Sequence, residues 1–232
     1  MTVRTSTNGT GRLTNRILRV GIIGCGEISQ VVHIPTINFM SDKFVTTYLC
    51  DVSEGALLHC AAKVLPKPPR TTKDAELLCA SDEVDVVLVA NADAFHVAHA
   101  ILALRNNKYC LLEKPAALTY RDIDGLIDAE SASKGKVFVG YMRRYATAFL
   151  EAVQEVGGLN KIQYARVRDI IGPNSDFVNQ SGTFPKKFHD IAQSDIDDLT
   201  NRTDEMVHHA LKAEFGVEVT PASQLMLRLL GG

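Results

Sequence analysis

The feature that most restricts this chain is Gly24-Cys25-Gly26-Glu27-Ile28-Ser29, which follows the apolar run 17–23 and opens an amphipathic stretch. Two glycines at a strand-to-helix turn have distinct tasks. The first permits the tight turn, and the second lets backbone approach a ligand. The helix that follows offers unpaired N–H groups and about half a positive charge at its N-terminus. A pyrophosphate requires that combination. Gly24 and Gly26 occupy the glycine positions, and Ser29 stands where a third small residue keeps helix and strand close.

The same unit repeats along the first half of the chain. Residues 44–50, 84–90, 109–112 and 136–140 read as further strands. Residues 27–40, 54–64, 74–79, 94–105 and 120–133 read as helices, the first expected to bend or end at Pro35. Pro66-Lys67-Pro68-Pro69 closes the second helix. Such βα alternation predicts an α/β, doubly wound parallel sheet spanning 17–140. Residues 1–16 are polar and Gly/Thr-rich, and read as a disordered tail lacking the apolar face of a transit peptide. After Tyr141 the rhythm is lost. Residues 149–156 suit a helix, 162–170 alternate like an exposed strand, and a polar stretch begins at Gly172. A helix resumes near Thr203, with Met206, Val207, Ala210, Leu211 and Phe215 at helical spacing. Residues 141–232 therefore read as an incomplete α+β second domain.

Composition excludes some classes. Lys and Arg number 25 against 27 Asp and Glu, a net charge of −2, with no basic run to neutralise nucleic-acid phosphates. No apolar run approaches the roughly 20 residues that span a bilayer. Cys25, Cys50, Cys60, Cys79 and Cys110 stand singly, without metal or redox spacing. They read as small buried residues of a protein in a reducing compartment, the cytoplasm, and no metal site is expected.

Two further positions carry chemistry. Asp51 ends the second strand, where a carboxylate can accept from both hydroxyls of an adenosine ribose and repel a 2′-phosphate, favouring NAD over NADP. Its other reading is a cap for the next helix, a task Ser53 could also perform. Glu113-Lys114-Pro115 ends the strand 109–112, at the sheet edge where open α/β folds bind ligands.

Taken in order, the glycine turn, His33-Ile34-Pro35, Asp51, the run 86–91 ending at Asn91, then His96, Ala100 and Leu104, then Glu113-Lys114-Pro115 and Thr119, resemble the Gfo/Idh/MocA oxidoreductase family. Residues 140–145 are similar to the segment entering that family's second domain, most like its inositol-dehydrogenase-type members. The resemblance implies that Gly24, Gly26 and Ile28 surround the pyrophosphate of NAD and that Asp51 holds the ribose. It places Asn91 and His96 at the nicotinamide end, with Glu113 and Lys114 at the reacting carbon. The implied activity is hydride transfer between NAD(P) and a polyol, sugar or similar hydroxylated small molecule. Lys114 would guide the hydroxyl proton or stabilise developing alkoxide charge.

The chain departs from the family in two places. Asn91-Ala92 stands where the family has Thr-Pro. Leu229-Leu230-Gly231-Gly232 resembles the approach to a second active-site motif, Asp-x-x-x-His, so the chain is expected to end before it. Asp204 and His208 match that spacing but lack its glycine flanks, and read as coincidence. His189-Asp190 is adjacent rather than spaced. A short second domain would leave apolar surface for a second copy or a partner chain to cover. The rival expectation is a dinucleotide-binding module or partner subunit without turnover.

Overall fold

The apolar runs of the first half become β1 (Leu18–Ile23), β2 (Phe44–Cys50), β4 (Val86–Val89), β5 (Tyr109–Leu112) and β6 (Val137–Val139), joined by a short β3 (Arg70–Thr72). The computed structural model describes residues 16–166, 168, 174–180 and 182–231. Its strands form one sheet in the order β3-β2-β1-β4-β5-β6, with every pair parallel. Order reverses between β1 and β4, so their carboxyl ends diverge and leave a crevice.

Both faces of the sheet are covered, which is why the strands read as nearly continuous apolar runs. Alternate residues serve opposite faces. Ile22, Leu49 and Leu88 pack with Ile34 and Ile37 of α1 (Ile34–Phe39) and Leu57 and Cys60 of α2 (Glu54–Ala61). Ile23, Val87, Val89 and Leu112 pack with Leu78 of α3 (Ala75–Ala80) and Ala100 and Leu104 of α4 (His96–Arg105). Each large side chain buried in this way contributes about 2 kcal/mol. The α5 helix (Tyr120–Ser131) precedes β6 and adds Leu126 to the same cluster as α4. All five cysteines are buried and free; burial pushes the thiols of Cys50, Cys79 and Cys110 up to about 12.

Several details differ from the sequence reading. Pro35 does not end its helix, because a wider π-helical turn (Ser29–His33) immediately precedes it and shifts the hydrogen-bond ladder where proline lacks an N–H. β3 is polar and three residues long, so it gives no apolar signal. The exposed strand expected at 162–170 is absent from 162–166, and residues 167 and 169–170 lie outside the described residues. So do residues 1–15 of the expected tail. Among the described residues after 140 there are helices and no strand: α6 (Thr147–Val156), α7 (Asn174–Gln180), α8 (Gln193–His208) and α9 (Pro221–Gly231). The α8 helix begins ten residues before the expected start near Thr203, because its first half is acidic and displays few apolar residues. No described helix is long and apolar enough to cross a membrane.

The later segment folds back onto the sheet domain. Gln30, buried in the first helical stretch, donates to the Lys186 carbonyl at 3.1 Å and accepts from the Lys186 N–H at 2.9 Å. Glu214 accepts from the N–H groups of Tyr120 and Arg121, at 2.8 and 3.0 Å, on the first turn of α5. Burial opposes its ionisation, but those backbone bonds together with the nearby charges of His209 and Arg121 hold the Glu214 carboxyl below its ordinary range.

Candidate functional site

The crevice where strand order reverses is a cavity of about 810 Å³. Gly24 and Gly26 form one wall. Gly24 has φ +101°, and a Cβ there would lie 2.6 Å from the Asn91 backbone nitrogen, so the β1 turn passes directly against the end of β4. Ser29 Oγ closes the turn by donating to the Gly24 carbonyl at 2.6 Å. Gly26 differs: nothing lies within 4 Å of a Cβ built on it, and its bare backbone faces the open cavity.

Asp51 enters from the end of β2. Its Oδ2 accepts from the Cys25 N–H at 2.7 Å and its Oδ1 from the Ser53 N–H at 2.8 Å. A carboxylate has about four acceptor positions, so this one is pinned and retains capacity toward the cavity. It does not cap α2. Ser53 does, accepting from the Ala56 N–H at 2.9 Å.

The far wall is built from β4 and α4. Asn91 Nδ2 lies 3.0 Å from His99 Nδ1, while Asn91 Oδ1 is buried without a hydrogen-bond partner. Phe95 stacks on His99 at 5.7 Å between ring centroids, and Arg202 of α8 lies over the outer face of Phe95 at 4.9 Å. Burial, with the nearby charges of Arg202 and His96, lowers His99 to about 4, so it is neutral at physiological pH. Ile191, Asp195, Ile196, Asp198 and Leu199 complete the enclosure from above. The cavity walls carry Asp51, Asp74, Glu76, Asp195 and Asp198 against one lysine, Lys73.

Of the residues singled out in the sequence, Gly24, Gly26, Asp51 and Asn91 line this cavity. Ile28, His96, Glu113 and Lys114 are not among its lining residues. Ile28 is half-buried against the core beneath α1. His96 is 2% exposed; its Nδ1 lies 2.7 Å from the Pro115 carbonyl and its Nε2 3.1 Å from that of Asn91. It thereby ties the exit of β4 to the exit of β5 and fixes both loops. Glu113 lies at the end of β5, 2.9 Å from His33 Nε2, and accepts from the Lys114 N–H at 3.2 Å. Burial opposes ionisation of Glu113, but the His33 contact together with the N–H and charge of Lys114 holds its carboxyl below the ordinary range. Lys114 is exposed beside it. Asp204 and His208 are exposed on α8, away from the cavity lining.

Sequence reasoning did not find His99, Phe95 or the roof from α8. His99 lies one helical turn beyond His96, and Ile196 and Leu199 are spaced three apart, but neither spacing shows which surface it faces.

The residues present suit a dinucleotide: an open glycine backbone, a pinned carboxylate with spare acceptor positions, and an unpartnered amide oxygen. Strand order and crevice together define a dinucleotide-binding α/β protein. Residues 18–141 match the family model described as an oxidoreductase family with an NAD-binding Rossmann fold, and the chain belongs to this Gfo/Idh/MocA family. It is 31% identical to an inositol 2-dehydrogenase of Paracoccus denitrificans over 78% of this chain and 53% of that protein. It is 28% identical to a myo-inositol 2-dehydrogenase of Thermotoga maritima over 71% of this chain and 49% of that one. The chain thus spans about half the length of the curated relatives it matches. Its fold is also that of myo-inositol dehydrogenase from Lactobacillus casei, solved in complex with NAD(H) and myo-inositol. The TM-score is 0.55, with 24% identity over 61% of this chain and 42% of that one.

Proposed function

We propose that this chain is the cofactor-binding part of an NAD-dependent oxidoreductase that moves a hydride to or from a polyol, sugar or similar hydroxylated small molecule. The observation that carries this reading is the cavity at the reversal of strand order, with the bare backbone of Gly26 on one wall and Asp51 pinned on another. When bound, NAD supplies the hydride acceptor or donor. Gly24 and Gly26 present backbone to the pyrophosphate, Asp51 accepts from the adenosine ribose, and Asn91 offers its free amide oxygen deeper in the cavity. His96 holds the loop carrying Asn91 in register with the loop carrying Lys114. Glu113 is fixed by His33, and its carboxylate keeps a negative charge next to Lys114. As an ammonium, Lys114 orients the substrate oxygen and stabilises alkoxide character as the carbinol proton leaves. In this reading residues 17–140 are the cofactor domain and 141–232 belong to a substrate and assembly domain. The exposed apolar side chains of Phe149, Leu150, Val153 and Val156 on α6 support a covering surface from further protein, such as a second copy. The five free thiols support a reducing compartment such as the cytoplasm.

The test is NADH formation at 340 nm from NAD and a panel of cyclic and linear polyols. Lys114→Ala is expected to lower the rate at least a hundredfold with NAD affinity within about threefold of the parent. An equal rate in the variant would remove Lys114 from the chemistry.

A further inference from the structure

The segment 184–199 touches the cofactor domain where a dinucleotide's adenosine ribose would be distinguished from its 2′-phosphorylated form. On a ribose held by Asp51, the next donors along the chain are Ser53 Oγ and the first N–H groups of α2, the natural seat for an added phosphate. Asp190 already holds them: its Oδ1 accepts from Ser53 Oγ at 2.5 Å and its Oδ2 from the Gly55 N–H at 2.8 Å. Three contacts keep it there. Gln30 brackets the Lys186 backbone, and the Phe188 ring packs against His59 at 5.7 Å. Gly55 admits that ring, since a Cβ at this position would come within 2.8 Å of it. Farther along, Asp195 adds a carboxylate to a wall that already contains Asp51, Asp74 and Glu76, while Asp198 on the same wall is paired with Arg202 at 2.9 Å.

We propose that residues 184–199 are a second cofactor-specificity element, in which Asp190, backed by Asp195, rejects a phosphate on the adenosine ribose. The cavity then accepts a dinucleotide whose negative charge is confined to its pyrophosphate. A 2′-phosphate would have to displace Asp190 from α2 and settle among like charges, whereas a free 2′-hydroxyl requires neither. This inference rests on the dinucleotide reading above and extends it from one acid, Asp51, to a group supplied from beyond the sheet. The element acts by position and charge, and Gln30 ties it to the pyrophosphate turn by also donating to the Cys25 carbonyl at 3.0 Å.

Calorimetric titration of the 232-residue chain with NAD and with NADP tests it. Asp190→Asn keeps the size and acceptor oxygen of the side chain but removes its charge, and is expected to narrow the NAD:NADP affinity ratio about tenfold with NAD affinity within about threefold. Asp195→Asn, which leaves every contact to α2 intact, should narrow it in the same direction and decides the matter if Asp190→Asn loses NAD binding altogether. Asp197→Asn removes the same charge from an exposed residue of α8 outside the cavity lining, and its ratio should match the parent's. A parent that binds NAD, with ratios unchanged in both Asp190→Asn and Asp195→Asn, would overturn the inference and leave Asp51 as the discriminator. A narrowing equal in Asp197→Asn would overturn it too, as an effect of net charge. A folded parent that binds neither dinucleotide would remove the cofactor reading and this inference with it.

Discussion

Gly24 and Gly26 lie two residues apart in one turn, yet the structure gives them different tasks. Gly24 combines a left-handed backbone with a Cβ position 2.6 Å from backbone across the turn. Gly24→Ala should lower unfolding stability by about 1–3 kcal/mol from backbone strain alone, with the clash adding to it. Gly26 has open space at its Cβ position, so Gly26→Ala should change stability by less than about 0.5 kcal/mol and weaken NAD binding at least tenfold. Urea denaturation and a binding titration on each variant separate the two losses; equal losses in both would refute the assignment. At this scale much of the site was legible. Gly24, Gly26 and Asp51, which line the cavity, could be picked out because a glycine turn and an acid at a strand end stand out in a sequence, whereas Ile28, His96, Glu113 and Lys114 were picked out too and do not line it. His99 and Asp190 were not. A histidine on a helix and an acid in a polar stretch acquire meaning only from what packs against them.

Among the elements, the sheet and its crossover helices were legible because burial on two faces writes itself as apolar runs. β3 was missed for want of apolar residues, and the start of α8 was masked by acids that line the cavity. The first turn of α4 shows how the elements couple. Phe95 and His99 form a stack against which α8 places Arg202, and that enclosure is the reason His99 is neutral. His99 is lowered from 6.5 to about 4, so between these pH values the unfolded chain binds a proton that the folded chain does not. The contribution of a neutral His99 is complete above pH 6.5 and is lost as pH falls toward 4, by up to about 3 kcal/mol before solvent screening. Denaturant midpoints at pH 7 and pH 4.5 should therefore converge in His99→Gln relative to the parent. An identical pH dependence in the two proteins would contradict the neutral assignment.

Across the whole molecule, two carboxylates from the later segment, Asp190 and Glu214, settle on helix N-termini of the sheet domain, joining parts of the chain distant in sequence. Neither contact could be read beforehand, because capping from a distance leaves no periodic trace. One helix so docked roofs the cavity, and the fold thereby makes a glycine turn and an acid at a strand end into an enclosed site. Everything proposed for this site requires that it accept NAD. The measurement that tests it most directly is a calorimetric titration of the folded 232-residue chain with NAD. Saturation at one NAD per chain is expected. A chain that shows the far-ultraviolet circular dichroism of a mixed α/β fold and gives no saturable binding would contradict it.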